Sequence, residues 1–88
     1  MDLIQLRCFV AVAEELHFGK AARRLDMLPS ALGRQIRLLE ASAGMPLLLR
    51  TTRNVALSPD GAALLDEVRA LLAQAEALDR RFHERGRR

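Results

Sequence analysis

From Gly61 onward, Gly61, Leu64, Val68, Leu71, Ala75, Leu78 and Phe82 step by 3, 4, 3, 4, 3 and 4. This heptad spacing holds for about three repeats and predicts one long helix with a narrow apolar seam. Ser58 supplies an N-cap, Pro59 suits the first helical position, and Asp60 complements the helix dipole. A helix from Pro59 to about Glu84 is roughly 39 Å long at 1.5 Å per residue. The 88-residue chain leaves fewer than sixty residues to cover it. The apolar stripe of Leu64, Leu65, Val68, Leu71, Leu72, Ala75, Leu78 and Phe82 is therefore read as an interface for a second copy of the chain, with packing inside the monomer as the alternative. Arg85 to Arg88, which include Gly86, are expected to fray.

The residues before this helix predict three shorter ones and a hairpin. Asp2 caps a first helix from about Leu3 to Leu16, with Gln5 in a capping-box position. Leu6, Phe9, Val10, Ala13 and Leu16 form its core stripe. His17 opens a second helix running from Phe18 to Leu25, and Asp26-Met27-Leu28-Pro29 makes a turn. A third helix starts near Pro29, because proline fits a first helical turn and pushes Leu28 out of the helical region. It ends at Gly44, which suits a left-handed cap. On this helix Leu32, Ile36 and Leu39 lie in one arc to be buried, and Ser30, Gly33, Arg34 and Arg37 point roughly the opposite way. Met45–Arg50 and Asn54–Ser58 are β-prone runs around Thr51-Thr52-Arg53. They predict a hairpin that leans on the core through Leu47, Leu49, Val55 and Leu57. The expected fold is all-α with a small β-hairpin, ending in one long helix.

Charge narrows the function. Between Leu16 and Ser58 stand seven basic residues (Lys20, Arg23, Arg24, Arg34, Arg37, Arg50, Arg53) against two acidic ones (Asp26, Glu40), a net of +5. From Pro59 onward six arginines meet six carboxylates. A positive potential confined to one part of the chain is the footprint expected for nucleic acid. Modules for RNA and single strands mostly stack bases on exposed aromatic rings. This chain has only Phe9, Phe18 and Phe82, all at positions that look buried, so duplex DNA is the better partner. Catalysis finds little support: His17 and His83 are far apart, no Cys/His group has zinc spacing, and the five glycines are scattered. No metal or cofactor is expected. The longest apolar run, Cys8 to Ala13, is too short to span a membrane, and the first residues do not resemble a secretion signal. The lone Cys8 makes no internal disulfide, which fits a reducing cytoplasm. The rival reading is a helical protein-interaction module whose basic face is incidental.

The chain resembles the N-terminal part of LysR-type transcriptional regulators. The matching residues are Leu3, Gln5-Leu6-Arg7, Phe9, Val12, Phe18, Ala21-Ala22, Leu25, Ala31-Leu32, Arg34-Gln35-Ile36, Leu39-Glu40, Gly44, Leu47, Arg50, Arg53, Val55, Leu57 and Gly61. The resemblance implies a winged helix-turn-helix followed by a long linker helix, that is, a DNA-binding domain over residues 1–58 (helix-turn-helix about 18–37, wing about 46–58) and a linker or dimerisation helix over 59–88. In that arrangement the third helix enters the major groove and the long helices pair antiparallel in a homodimer. Two recognition helices would then meet two half-sites of an interrupted palindrome in the bacterial nucleoid. It also implies tetramers in a full-length regulator and a small-molecule effector acting only through a further domain that this chain lacks. An excised piece of a longer regulator is favoured over a natural truncation. The chain departs from the family on the reading face. Leu28-Pro29-Ser30 stands where Ser-Gln-Pro is common, and Gly33 where serine is common. Leu28 is a poor N-cap, costing about 1 kcal/mol relative to serine.

Arg34 is the first candidate for a base edge, because a guanidinium can grip guanine O6 and N7 together. Arg37, Ser30 and Ala31 are candidates for base or backbone contacts, and Arg53 at the wing tip for a phosphate or the minor groove. Arg50 either reaches DNA or braces the wing. Of Lys20, Arg23 and Arg24, one is expected to neutralise phosphate. Phe18, Pro29, Gly33 and Thr52 complete the candidate DNA-binding set.

Overall fold

The computed structural model describes residues 1–87. Four helices and one hairpin follow in the order α1 (Leu3–Glu15), α2 (Phe18–Arg24), α3 (Pro29–Ala43), β1 (Leu48–Arg50), β2 (Val55–Leu57) and α4 (Pro59–Gly86). The fold is mostly helical with a two-stranded antiparallel wing and a long C-terminal helix, as the residue pattern predicts. Asp2 caps α1 by accepting from the Gln5 N–H at 2.8 Å. The helix stops one residue earlier than expected, because Leu16 turns left-handed at φ 50° and points into solvent instead of joining the core.

α1 is buried nearly all round: Leu6, Cys8, Phe9, Val10, Ala11, Val12 and Ala13 all lie in the core. It is the central strut, with α2, α3 and α4 each packed against it. Ala21 and Ala22 of α2 let that helix approach closely, and Leu32, Ile36 and Leu39 of α3 fill the space beneath. Phe9 lies in this core and Phe18 only partly packs against it, while Phe82 is exposed, against the expectation that all three are buried. Burial also lifts the Cys8 thiol above its ordinary pKa, with Asp2 adding to the effect. Such a thiol is a small core hydrophobe.

The hairpin pairs Leu48 with Leu57, Leu49 with Ala56 and Arg50 with Val55. Side chains alternate along a strand, so Leu48, Leu57, Arg50 and Val55 share one face. Leu48 is buried and Leu49 exposed, which corrects the expectation that Leu49 anchors the wing. A run of three leucines carries no alternation from which to choose between those registers.

α4 begins as the local sequence predicts. The Ser58 hydroxyl accepts from the Gly61 N–H at 2.9 Å and donates to the Pro46 carbonyl at 2.8 Å. Gly61 is needed here because a methyl group would collide with the Leu47 carbonyl. The helix continues to Gly86, beyond the expected start of fraying; Arg88 lies outside the described residues. Leu65 and Leu72 are buried against the domain of their own chain. That corrects their assignment to an interface, since their apolar surface is already covered in the monomer. Leu64 and Val68 are half-buried at the edge of the core, whereas Leu71, Leu78 and Phe82 stay exposed.

Candidate nucleic-acid interface

α2 and α3 meet through a tight connection in which Asp26 adopts φ 55° and the Met27 N–H reaches the Ala22 carbonyl at 2.8 Å. The N-terminus of α2 is held by His17, whose Nδ1 accepts from the Lys20 N–H at 3.0 Å. α3 lacks the corresponding device. Leu28 occupies its N-cap with no side-chain hydrogen bond and is 71% exposed. The first turn of α3 therefore presents apolar Leu28, Pro29 and Ala31 to solvent, with Ser30 as the only side-chain donor among these residues.

Behind that turn, Arg34 and Arg37 are exposed on the face opposite Leu32, Ile36 and Leu39. Gly33 is not on this face as expected; it is buried, and a methyl there would touch Arg37 Nη1 at 3.4 Å. The Arg37 side chain folds back along the helix over it. Lys20 and Arg23 are exposed on α2. Among the described residues no carboxylate lies within ion-pair distance of Lys20, Arg23, Arg34, Arg37 or Arg53.

Arg24 and Arg50 differ. Arg24 bonds Glu14 at 2.7 Å and Glu15 at 3.3 Å, tying α2 to α1. The Arg24 hydrogen bond, joined by one from Arg69, holds the Glu14 carboxyl below its ordinary pKa and correspondingly raises that of Arg24. Arg50 lies 3.4 Å from Glu40 and stacks 4.8 Å above the Phe18 ring. Of its two expected roles, the geometry favours bracing. Phe18 is likewise engaged, half-buried between the core and that guanidinium, so its ring supports the interface from beneath.

Glu40 was missed by the sequence reading as a working residue. Its Oε2 accepts from the Leu47 N–H at 2.8 Å and the Leu48 N–H at 3.2 Å, while Oε1 faces Arg50. The signal was available: a carboxylate in the last turn of a helix is disfavoured by the dipole, so it implies a partner elsewhere. At the wing tip, Thr51 Oγ1 accepts from the N–H groups of Asn54 at 3.0 Å and Arg53 at 3.3 Å. This holds Thr52 and Arg53 outward.

The arrangement is a rigid helix pair beside a braced wing, with unpaired cations on α2, α3 and the wing tip. Such groups can neutralise phosphates and read base edges. Among the described residues no cluster of His, Cys, Asp or Glu could hold a metal ion, and no helix is long and apolar enough to cross a membrane.

Residues 3–62 match the family model described as bacterial regulatory helix-turn-helix protein, lysR family. The chain is 58% identical over 85 residues to the HTH-type transcriptional regulator TtuA of Agrobacterium vitis, covering 97% of this chain and 28% of that protein. It superposes on the BenM DBD in a complex with catB site 1 DNA with a TM-score of 0.88 at 37% identity, covering 96% of this chain and 94% of that one. For the CbnR DBD–DNA complex the TM-score is 0.87 at 35% identity, covering 98% and 99%. The chain spans about a quarter of the length of the curated relatives it matches.

Proposed function

Because the chain belongs to the lysR family of bacterial regulatory helix-turn-helix proteins, we propose that it binds duplex DNA sequence-specifically, as a homodimer, to regulate transcription. The observation that carries this reading is the free cationic face of α3, held out by a core that engages Arg24 and Arg50 elsewhere. The likeness to two proteins solved in complex with DNA supports it. In this reading residues 1–58 form the DNA-binding unit and residues 59–88 the linker helix. The role is non-catalytic, and the site of action is the nucleoid.

Each residue then has a part. Arg34 grips a guanine edge, and Arg37 and Ser30 contact a base or the backbone beside it. Leu28, Pro29 and Ala31 offer apolar surface suited to thymine methyl groups, which are the one apolar feature of the major groove. Arg53 and Thr52 meet the backbone or minor groove next to the site, and Lys20 and Arg23 face phosphates on the other side.

The deciding experiment selects bound duplexes from a random pool with the purified chain. Binding of the selected site is then compared between wild type and Arg34→Ala. The variant is expected to lose about 1–3 kcal/mol and to discriminate less at one base pair. Equal binding by the variant removes Arg34 from the reading role. Self-association without any duplex preference would instead favour a helical interaction module with an incidental basic face.

A further inference from the structure

Glycine in a helix interior is destabilising relative to alanine, so a helical glycine implies something that needs its missing side chain. Gly61 answers to the Leu47 carbonyl, which a methyl group would strike, and Gly44 answers to its own backbone, with φ 74°. Gly33 has neither reason, since it lies inside α3 without a positive φ. Outside its chain neighbours and the helix backbone, the one atom that a methyl at 33 would meet within 4 Å is Arg37 Nη1, at 3.4 Å. That is an ordinary contact. Alanine would fit beneath the guanidinium, and a longer side chain would displace it.

Long helical side chains lean toward the N-terminus, over the residue one turn earlier. The Arg37 guanidinium is accordingly carried back to the level of Gly33, about 6 Å along the axis from its own Cα. Glu40, the carboxylate three residues on, does not hold it the other way. That side chain is committed to the Leu47 and Leu48 N–H groups and to Arg50. Direction around the helix then decides what the charge can reach. At about 100° per residue, Arg34 lies about 40° to one side of Ser30 and Gly33 about 60° to the other. The Gly33 side is the flank next to buried Ile36. A helix in the major groove turns the middle of its outward face to the base edges and its flanks to the phosphates on either wall.

We propose that Gly33 is a positioning residue for DNA binding, an empty seat that carries Arg37 onto a backbone phosphate and leaves Arg34 as the one guanidinium of α3 that reads a base. The inference rests on the duplex-DNA reading above and assigns Arg37 one of the two roles which that reading left open. It also gives a purpose to a glycine that neither backbone geometry nor core packing requires.

The test is binding of the purified 88-residue chain to its selected duplex, and to single-base variants of that duplex, across a salt series. Arg37→Ala, present twice in a dimer, should reduce the log–log salt slope by about 1.8, so the advantage of wild type shrinks about twelvefold between 50 and 200 mM salt. Its loss should be uniform across the duplexes, whereas a lost base contact relaxes discrimination at one position. Arg37→Lys keeps a charge that suits a phosphate and should keep the slope. Gly33→Val fills the seat with Arg37 intact and should reproduce the slope of Arg37→Ala. Combined, the two substitutions should lose no more than Arg37→Ala alone. Gly33→Ala leaves room for the guanidinium and should bind with the wild-type slope, and thermal melts check that both position-33 variants fold. Independently of them, a methylphosphonate at one phosphate of each half-site should weaken wild type and leave Arg37→Ala unaffected. An unchanged slope in Arg37→Ala, a loss confined to one base pair, additive losses in the double variant, or no such phosphate overturns the inference. Wild type that still binds its duplex in that case leaves the DNA reading standing, and wild type without duplex affinity removes both.

Discussion

Arg23 and Arg24 are neighbours in α2 with the same charge, yet only Arg24 is committed, at 2.7 Å from Glu14 and 3.3 Å from Glu15. Removing either changes the net charge equally, so any difference in DNA binding reports geometry. Arg23→Ala, present twice in a dimer, is expected to reduce the salt slope of duplex binding by about 1.8. Arg24→Ala should leave that slope unchanged and cost under about 1 kcal/mol of stability, because the pair is partly exposed. Salt titrations of the two variants side by side measure both. Glu14 adds a pH dependence of defined sign. Arg24 and then Arg69 lower its pKa in the folded chain, so its contribution is complete above the ordinary carboxylate value and fades as pH falls through the lowered one. Urea midpoints of wild type and Glu14→Gln should therefore differ at neutral pH and converge in acid. Leu28 invites the opposite kind of change. It leaves the N-terminus of α3 without a side-chain cap, so Leu28→Ser should stabilise the fold by about 1 kcal/mol in thermal melts.

At the level of elements, the wing is held by two devices of different legibility. The Ser58-Pro59 start of α4 is local, and a serine before a proline announces it within two residues. The Glu40 carboxylate is not local in that sense. It reaches seven and eight residues ahead to two backbone N–H groups, and only the folded path after Gly44, with φ 74°, brings them together. Glu40→Ala would strand both donors and free Arg50, costing about 1–3 kcal/mol, whereas Glu40→Gln keeps an acceptor and should cost less. Chemical denaturation of the pair of variants distinguishes the two. The same distinction explains what the residue pattern conveyed about α4. Heptad spacing shows that a face must be buried, and it does so without naming the partner. Leu65 and Leu72 met their own domain, and Leu78 and Phe82 did not, because α4 outruns the helices beneath it. Gly33 was misplaced for a related reason: without a side chain, its burial is decided by Arg37 folding over it.

The whole molecule measures 52 × 25 × 19 Å, and the long dimension belongs to α4, which at 28 residues extends roughly 42 Å. The residues from Pro59 onward carry equal numbers of arginines and carboxylates, so the net positive charge of the chain comes from the helix-turn-helix and wing and not from α4 taken as a whole. The two halves of the function are thus separable. α4 is attached to its own domain by Gly61, Leu65 and Leu72, and its exposed distal residues Leu78 and Phe82 are not required for that attachment. A dimer that neutralises about eight phosphates should lose affinity with salt at a log–log slope of about −7. At concentrations where Phe82→Ala is monomeric, each unit keeps its full set of α2, α3 and wing cations but contacts one half-site. The slope should then fall to about half, near −3.5, and a footprint should shrink to a single half-site with its base preferences intact. A variant that lost base preference along with its partner would place the reading geometry under control of the dimer, and the rigid core built on α1 would not by itself account for the orientation of α3.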